Sequence, residues 1–98
     1  MYKDLLTYEL AEGITQEYLV QVAGKIIDSW MKNLDGFISW EITKNDKGGY
    51  TDIVSWENKE SAKAAEKKMC EIPNAADWYG CYKKGSIDAV HVEGLFVG

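Results

Sequence analysis

Arginine is absent from this chain: all eleven basic residues are lysine, set against sixteen acidic ones for a net charge of −5. Without a guanidinium there is no planar fork for bidentate contact with phosphate or guanine. The aromatics are not interleaved with a basic stripe either, so nucleic acid is not an expected partner. The acidic balance also repels anionic membrane surfaces. No apolar run approaches bilayer-spanning length, and the opening MYKDLLTYEL lacks the basic-then-apolar order of a secretory signal, so a cytoplasmic protein is expected. Histidine occurs once, at His91, and cysteine twice, at Cys70 and Cys81, with no CxxC spacing. Two buried, reduced thiols are expected, with a redox pair as the alternative. No metal spacing, nucleophile–base pair or phosphate-cradling loop is present, so neither metal nor cofactor is expected.

Repeats, low-complexity tracts and linkers are missing too. At 98 residues the chain suits one domain with a single layer of helices on one sheet, spanning residues 1–98. Leu5–Ala11 (LLTYELA) alternates as a first strand. Thr15 caps a helix, with Ile14 able to staple onto Leu19, and Tyr18, Leu19, Val22, Ile26 and Trp30 mark one apolar stripe. Gly36 suits the exit turn. Phe37–Thr43 and Tyr50–Trp56 read as an antiparallel pair around the turn KNDKGG. Asn58 caps a second helix, whose Ala62, Ala65, Met69 and Ile72 form a narrow seam before Pro73 ends it. NAADWYGCYKKG reads as a short helical turn and loop, and Ile87–Val97 as a long fourth strand.

The order βαββαβ predicts an α+β, ferredoxin-like sandwich. Strand parity puts Leu6, Tyr8, Leu10, Ile38, Trp40, Ile42, Val54, Trp56, Val90, Val92 and Phe96 on the face the helices cover. Leu5, Phe37, Ile53, Ile87, Ala89, Leu95 and Val97 fall on the other. Two helices cannot shield both faces, and exposed apolar surface costs roughly 25 cal/mol per Å². A second copy of the chain is the expected cover.

DGFISWEI is similar to the second-strand signature of the antibiotic biosynthesis monooxygenase family. DIVSWENKESAKAA resembles that family's next block, a strand ending in Trp followed by a polar step and a helix. The flanking helix and strand fall at matching distances, so the resemblance covers nearly the whole chain. It implies a dimeric α+β barrel made of two face-to-face sheets, with a substrate cavity between sheet and helices in each subunit. It also implies a cofactor-independent monooxygenase acting on a small aromatic or quinone-like molecule. The alternative is a non-catalytic dimeric module of the same fold that binds a small ligand or simply assembles. The haem-degrading branch is disfavoured, because its helix histidine has no counterpart here. Its helix tryptophan falls near Ala65 and its first-strand asparagine near Leu6. The phenol-oxidising set of Asn, Trp, Tyr and Arg is incomplete, since arginine is lacking.

Two residues stand out as candidates for proton transfer. His91 shares a parity with Glu93 and is expected to point away from the helices, as half of a His–carboxylate pair or as a hydrogen-bonded structural residue. Asp52 falls on the helix-facing side, where a carboxylate is either exposed near the strand end, hydrogen-bonded, or raised in pKa as an acid or base. Trp56 fills the corner where the second helix leaves the sheet and offers a flat wall to an aromatic ligand. Trp40 and Tyr8 belong to the core face that any cavity would abut. Trp78, Tyr79 and Tyr82 would cap its mouth.

Overall fold

Two side-chain caps set where the long helices start. Thr15 Oγ1 accepts from the Tyr18 N–H at 3.1 Å, and Asn58 Oδ1 accepts from the Ser61 N–H at 2.9 Å. A computed structural model, covering residues 1–98, places helix α1 at Gln16–Ser29 and helix α2 at Lys59–Lys67. A short helix α3, Ala75–Tyr79, follows Pro73. The strands are β1 (Tyr2–Tyr8), β2 (Phe37–Lys44), β3 (Tyr50–Trp56) and β4 (Asp88–Glu93). They form one antiparallel sheet in the order β2-β3-β1-β4, the ferredoxin-like α+β arrangement. No helix is long and apolar enough to cross a membrane.

The β2–β3 hairpin closes on Asn45. Its side-chain oxygen accepts from the N–H groups of Lys47 at 2.8 Å and Gly49 at 3.0 Å, while Gly48 takes the positive φ of 84° that this turn requires. Leu19, Val22, Ala23 and Ile26 of α1 and Ala62 and Ala65 of α2 are buried against one face of the sheet. Full burial of a side chain such as Leu19 or Ile26 contributes about 1.5–3 kcal/mol. Tyr18 lies off that stripe and is exposed. α2 is shorter than its apolar spacing predicts: it ends at Lys67, and a 3₁₀ turn at Met69–Glu71 carries the chain to a buried Ile72. Cys81 is buried and Cys70 is exposed, both as free thiols, so only one of the two fits the buried expectation.

Residues directly opposite in the ladders share a face, and the register corrects the predicted parity in two places. In β2 a bulge between Phe37 and Ser39 turns Phe37 onto the helix side. There it meets Trp56 edge-on at 5.7 Å, and Ile38 is left exposed. In β4, Ala89 pairs with Leu6 and His91 with Asp4, so both face the helix side, while Val90 and Val92 face the open side. The cause is position. β4 is an edge strand whose six residues are all exposed, beyond the reach of the two helices, so its valines gain no burial by turning inward. β1 also begins earlier than predicted, at Tyr2, and ends at Tyr8, leaving Leu10 outside it in an isolated bridge to Tyr82. β4 ends at Glu93, leaving Leu95, Phe96 and Val97 outside the sheet and at least 87% exposed.

Gly36 braces the joint between β2 and α2. Its φ is 80°, its carbonyl accepts from the Glu57 N–H at 2.8 Å, and a Cβ there would collide with the Ser61 side chain. We expect Gly36→Ala to lose roughly 1–3 kcal/mol in urea unfolding. A loss no larger than that of an exposed-loop substitution would show that the joint is slack.

Candidate active site

Alternation along β3 sends Asp52 to the helix side between Tyr50 and Val54, into a layer that is otherwise apolar. A carboxyl group there needs donors, and it has two. Tyr8 Oη donates to Asp52 Oδ1 at 2.6 Å, and Tyr82 Oη donates to Oδ2 at 3.2 Å. The Trp78 indole N–H donates in turn to Tyr82 Oη. Tyr8 reaches across from β1, where it is the register partner of Tyr50. Trp78 and Tyr82 come from α3 and the turn after it, which is fastened to the chain beyond β1 by backbone bonds. The Ala11 N–H reaches the Cys81 carbonyl at 2.9 Å, and the Lys83 N–H reaches the Glu9 carbonyl at 2.8 Å.

Asp52 is only 2% exposed. Burial raises its pKa above the usual carboxylate range, and donation from Tyr8 and Tyr82 offsets part of that rise. The Trp40 indole lies near enough to favour the anion but does not reach hydrogen-bonding geometry, and its N–H has no partner. Tyr8 and Tyr82 are held firmly protonated, first by burial and then by the neighbouring Asp52.

All four tryptophans of the chain, Trp30, Trp40, Trp56 and Trp78, line one cavity of about 290 Å³ between the sheet and the helices. Asp52 is its most buried polar wall, and Leu6, Val54, Met69 and Ile72 complete an apolar surface. This volume lies at the lower edge of the roughly 300–1,000 Å³ range of small-molecule sites. Asp4, Ala62, Glu66 and His91 line both this cavity and an adjoining open groove of about 730 Å³, so they form the passage between the two.

At that passage Asp4 accepts twice. His91 Nδ1 stands 2.6 Å from Asp4 Oδ1, and the Trp56 indole N–H donates to Asp4 Oδ2 at 3.1 Å. His91 therefore faces the cavity rather than the open side of the sheet, and its carboxylate partner is Asp4, not Glu93. The error follows from the reversed parity of β4. Of the residues expected to bind substrate, Trp40, Trp56 and Trp78 line the cavity, while Tyr8 and Tyr82 stand behind Asp52 as its donors. Tyr79 stacks on the outer side of the group, 4.9 Å from Trp78, and is half exposed. Asp4 and Trp30 are additions from the structure. Asp4 shares the alternation of Leu6 and Tyr8, a signal that a first strand beginning at Tyr2 would have carried.

No family model matches the sequence, and no curated protein is similar to it. Solved structures are similar in shape along almost the whole chain. SnoaB, a cofactor-independent oxygenase of Streptomyces nogalater, superposes with a TM-score of 0.77 at 9% identity, over 98% of this chain and 94% of its own. The ActVA-Orf6 monooxygenase of Streptomyces coelicolor, solved with nanaomycin D, gives 0.71 at 19% identity, over 99% and 91%. A Nitrosomonas europaea protein classed with the antibiotic biosynthesis monooxygenases gives 0.69 at 13% identity, over 98% and 100%. The fold is that of the antibiotic biosynthesis monooxygenases. The resemblance carried by DGFISWEI and DIVSWENKESAKAA thus holds at the level of architecture, and the cavity lies in the layer where the antibiotic biosynthesis monooxygenase resemblance put one.

The raised pKa of Asp52 has a measurable consequence. A carboxyl whose folded pKa is raised binds protons more tightly in the folded state, so its contribution to stability falls as pH rises from about 3.8 through the folded value. The carboxamide introduced by Asp52→Asn cannot titrate. Urea melts of wild type and Asp52→Asn between pH 3 and pH 7 should show a wild-type advantage that shrinks as pH increases. A difference independent of pH would contradict the assignment.

Proposed function

We propose that the chain is a cofactor-independent, monooxygenase-like enzyme acting on a small aromatic or quinone-like molecule held among Trp40, Trp56 and Trp78. The observation that carries this reading is the cavity itself: four indole walls, a buried carboxyl at Asp52 and a histidine at the entrance. Flat aromatic walls favour a planar ligand through stacking and edge contacts. Removing a phenolic proton raises electron density in the ring, which prepares it to reduce oxygen. One oxygen atom then bonds to a ring carbon as its C–H bond breaks. The other leaves as water with that hydrogen and the phenolic one, so the phenol supplies all the electrons and ends as a quinone. His91, at the entrance, is the group placed to accept or return the phenolic proton, while Asp52, held by Tyr8 and Tyr82, shapes the cavity behind it. The likeness in shape to SnoaB and ActVA-Orf6 supports the same reading.

A homodimer forms part of the proposal. Leu5, Ile53, Val90 and Val92 lie on the sheet face that no helix covers, and the Leu95–Val97 tail has no packing of its own. A second copy docked on that face would bury both. Ligand binding without turnover is the second reading. It is favoured by the structural use of Asp52, whose two oxygens each already accept a tyrosine hydroxyl within the fold.

Oxygen consumption with a panel of phenols, naphthols and hydroquinones separates these readings. The enzyme reading expects uptake that falls at least about tenfold in Trp56→Ala and about 100-fold in His91→Ala. Tryptophan quenching by the same compounds without any uptake would favour binding alone. Sedimentation at low micromolar concentration should give about twice the 11.1 kDa chain mass, and a stable monomer would remove the dimer from the account.

A further inference from the structure

Asp4 makes no hydrogen bond to Asp52 or its donors, yet it touches both functional residues at the entrance. It sits on β1 directly opposite His91 on β4, two positions along from Leu6 in the cavity wall. Its side chain is about one-third exposed and that of His91 57% exposed, so the pair stands at the boundary between groove and cavity. A carboxylate only accepts hydrogen bonds, and an indole nitrogen only donates. Asp4 is thus held from one side by Trp56 Nε1–H and binds His91 Nδ1 with its other oxygen.

That contact selects a tautomer. Facing an acceptor at 2.6 Å, His91 presents a proton on Nδ1, and in the neutral ring Nε2, which makes no hydrogen bond within the chain, then carries the lone pair. Tyr2 fixes the ring plane by stacking on it at 6.2 Å between centroids with 15° between planes. The result is an oriented imidazole with its basic nitrogen free beside the cavity and a carboxylate behind it, the arrangement used to support a general base.

We propose that Asp4 is a positioning residue that holds His91 as the Nδ1–H tautomer, so that His91 Nε2 accepts the proton of a phenolic substrate at the cavity mouth. Trp56 takes part by orienting Asp4. The proposal rests on the reading of the cavity as a site for small phenols. In the step, the phenolic O–H bond breaks and the N–H bond at Nε2 forms. The electron pair stays on the phenolate oxygen, and the imidazolium shares its charge with Asp4 until the proton returns to solvent. Asp52, with both oxygens occupied, is left to build the cavity rather than to take this proton.

Two measurements on the full chain test it. In ¹⁵N-labelled protein with the ring neutral, two-bond ¹H–¹⁵N correlations should show His91 as the Nδ1–H tautomer. Asp4→Asn should shift it toward Nε2–H, and Trp56→Phe should do so more weakly. An Nε2–H tautomer in wild type, or one unchanged in Asp4→Asn, would overturn the proposal. The second probe is a nitrophenol, whose anion is coloured, so that proton transfer is read without turnover. Wild type should bind it as the phenolate, and Asp4→Asn and His91→Gln as the neutral phenol. Binding of the neutral form to wild type, or no binding, would also overturn it. Where a phenol is oxidised, Asp4→Asn should lower kcat about 100-fold with KM little changed, and an unchanged kcat counts against the role. Phenolate binding with no oxygen consumption by any substrate would defeat the oxygenase reading and leave the Asp4–His91 assignment standing.

Discussion

Asp52 puts a carboxyl group into an apolar layer, and much of the site follows from satisfying it. Leaving such a group buried and unpaired costs several kcal/mol, so its two donors have to arrive together. Tyr8 comes from β1, and Tyr82 from the turn after α3, far along the chain. The second donor brings Trp78 with it, because Trp78 hydrogen-bonds Tyr82 and meets Trp40 edge-on at 6.0 Å. One buried carboxyl thus explains why a tryptophan on the short helix α3 becomes a cavity wall. The backbone bonds between Ala11 and Cys81 and between Glu9 and Lys83 secure the same docking from outside.

The two aspartates of the site have opposite surroundings. Asp52 lies deep, hydrogen-bonded at each oxygen and raised in pKa by burial, whereas Asp4 lies at the entrance in contact with solvent and with His91. Separate environments are how one site gives separate duties to chemically identical groups. In the mechanism proposed for this site, the inner carboxylate shapes the cavity and the outer one directs a base. Trp56 links them: it lines the cavity, packs against Phe37 and anchors Asp4. Its place where β3 gives way to α2 therefore serves both corner packing and the site, which is why neither role of that residue excludes the other.

Much of this is legible in the sequence because it depends on local chemistry. Thr15 and Asn58 announce the helix starts, KNDKGG the hairpin, and the alternation in Tyr50–Trp56 puts Asp52 inward. Element order and the helix-facing positions of Trp40 and Trp56 also follow from periodicity and spacing, whereas the sequence places Trp78 only as a cap at the mouth of the cavity that the family resemblance implies. The errors have one kind of cause, a local pattern overruled by what lies beside it. A bulge at Phe37 and Ser39 exchanges Phe37 with Ile38. In β4 the more hydrophobic parity, Val90 and Val92, looks inward on sequence, but an edge strand outside the helices' reach offers no burial there. Alternation alone consequently assigns His91 to the wrong face and the wrong partner. Asp4 stays hidden for a related reason: the polar residues Lys3 and Asp4 conceal that β1 begins at Tyr2.

The central claim is that the space between sheet and helices is a preformed site for a flat aromatic molecule, walled by every tryptophan the chain has. The four indole N–H resonances in a ¹H–¹⁵N spectrum report on it directly during titration with a naphthol. The account predicts that all four shift together and saturate with one dissociation constant, while the amides of the Leu95–Val97 tail do not follow. Indole signals that stay fixed while tail or open-face resonances move would place the ligand elsewhere and contradict it.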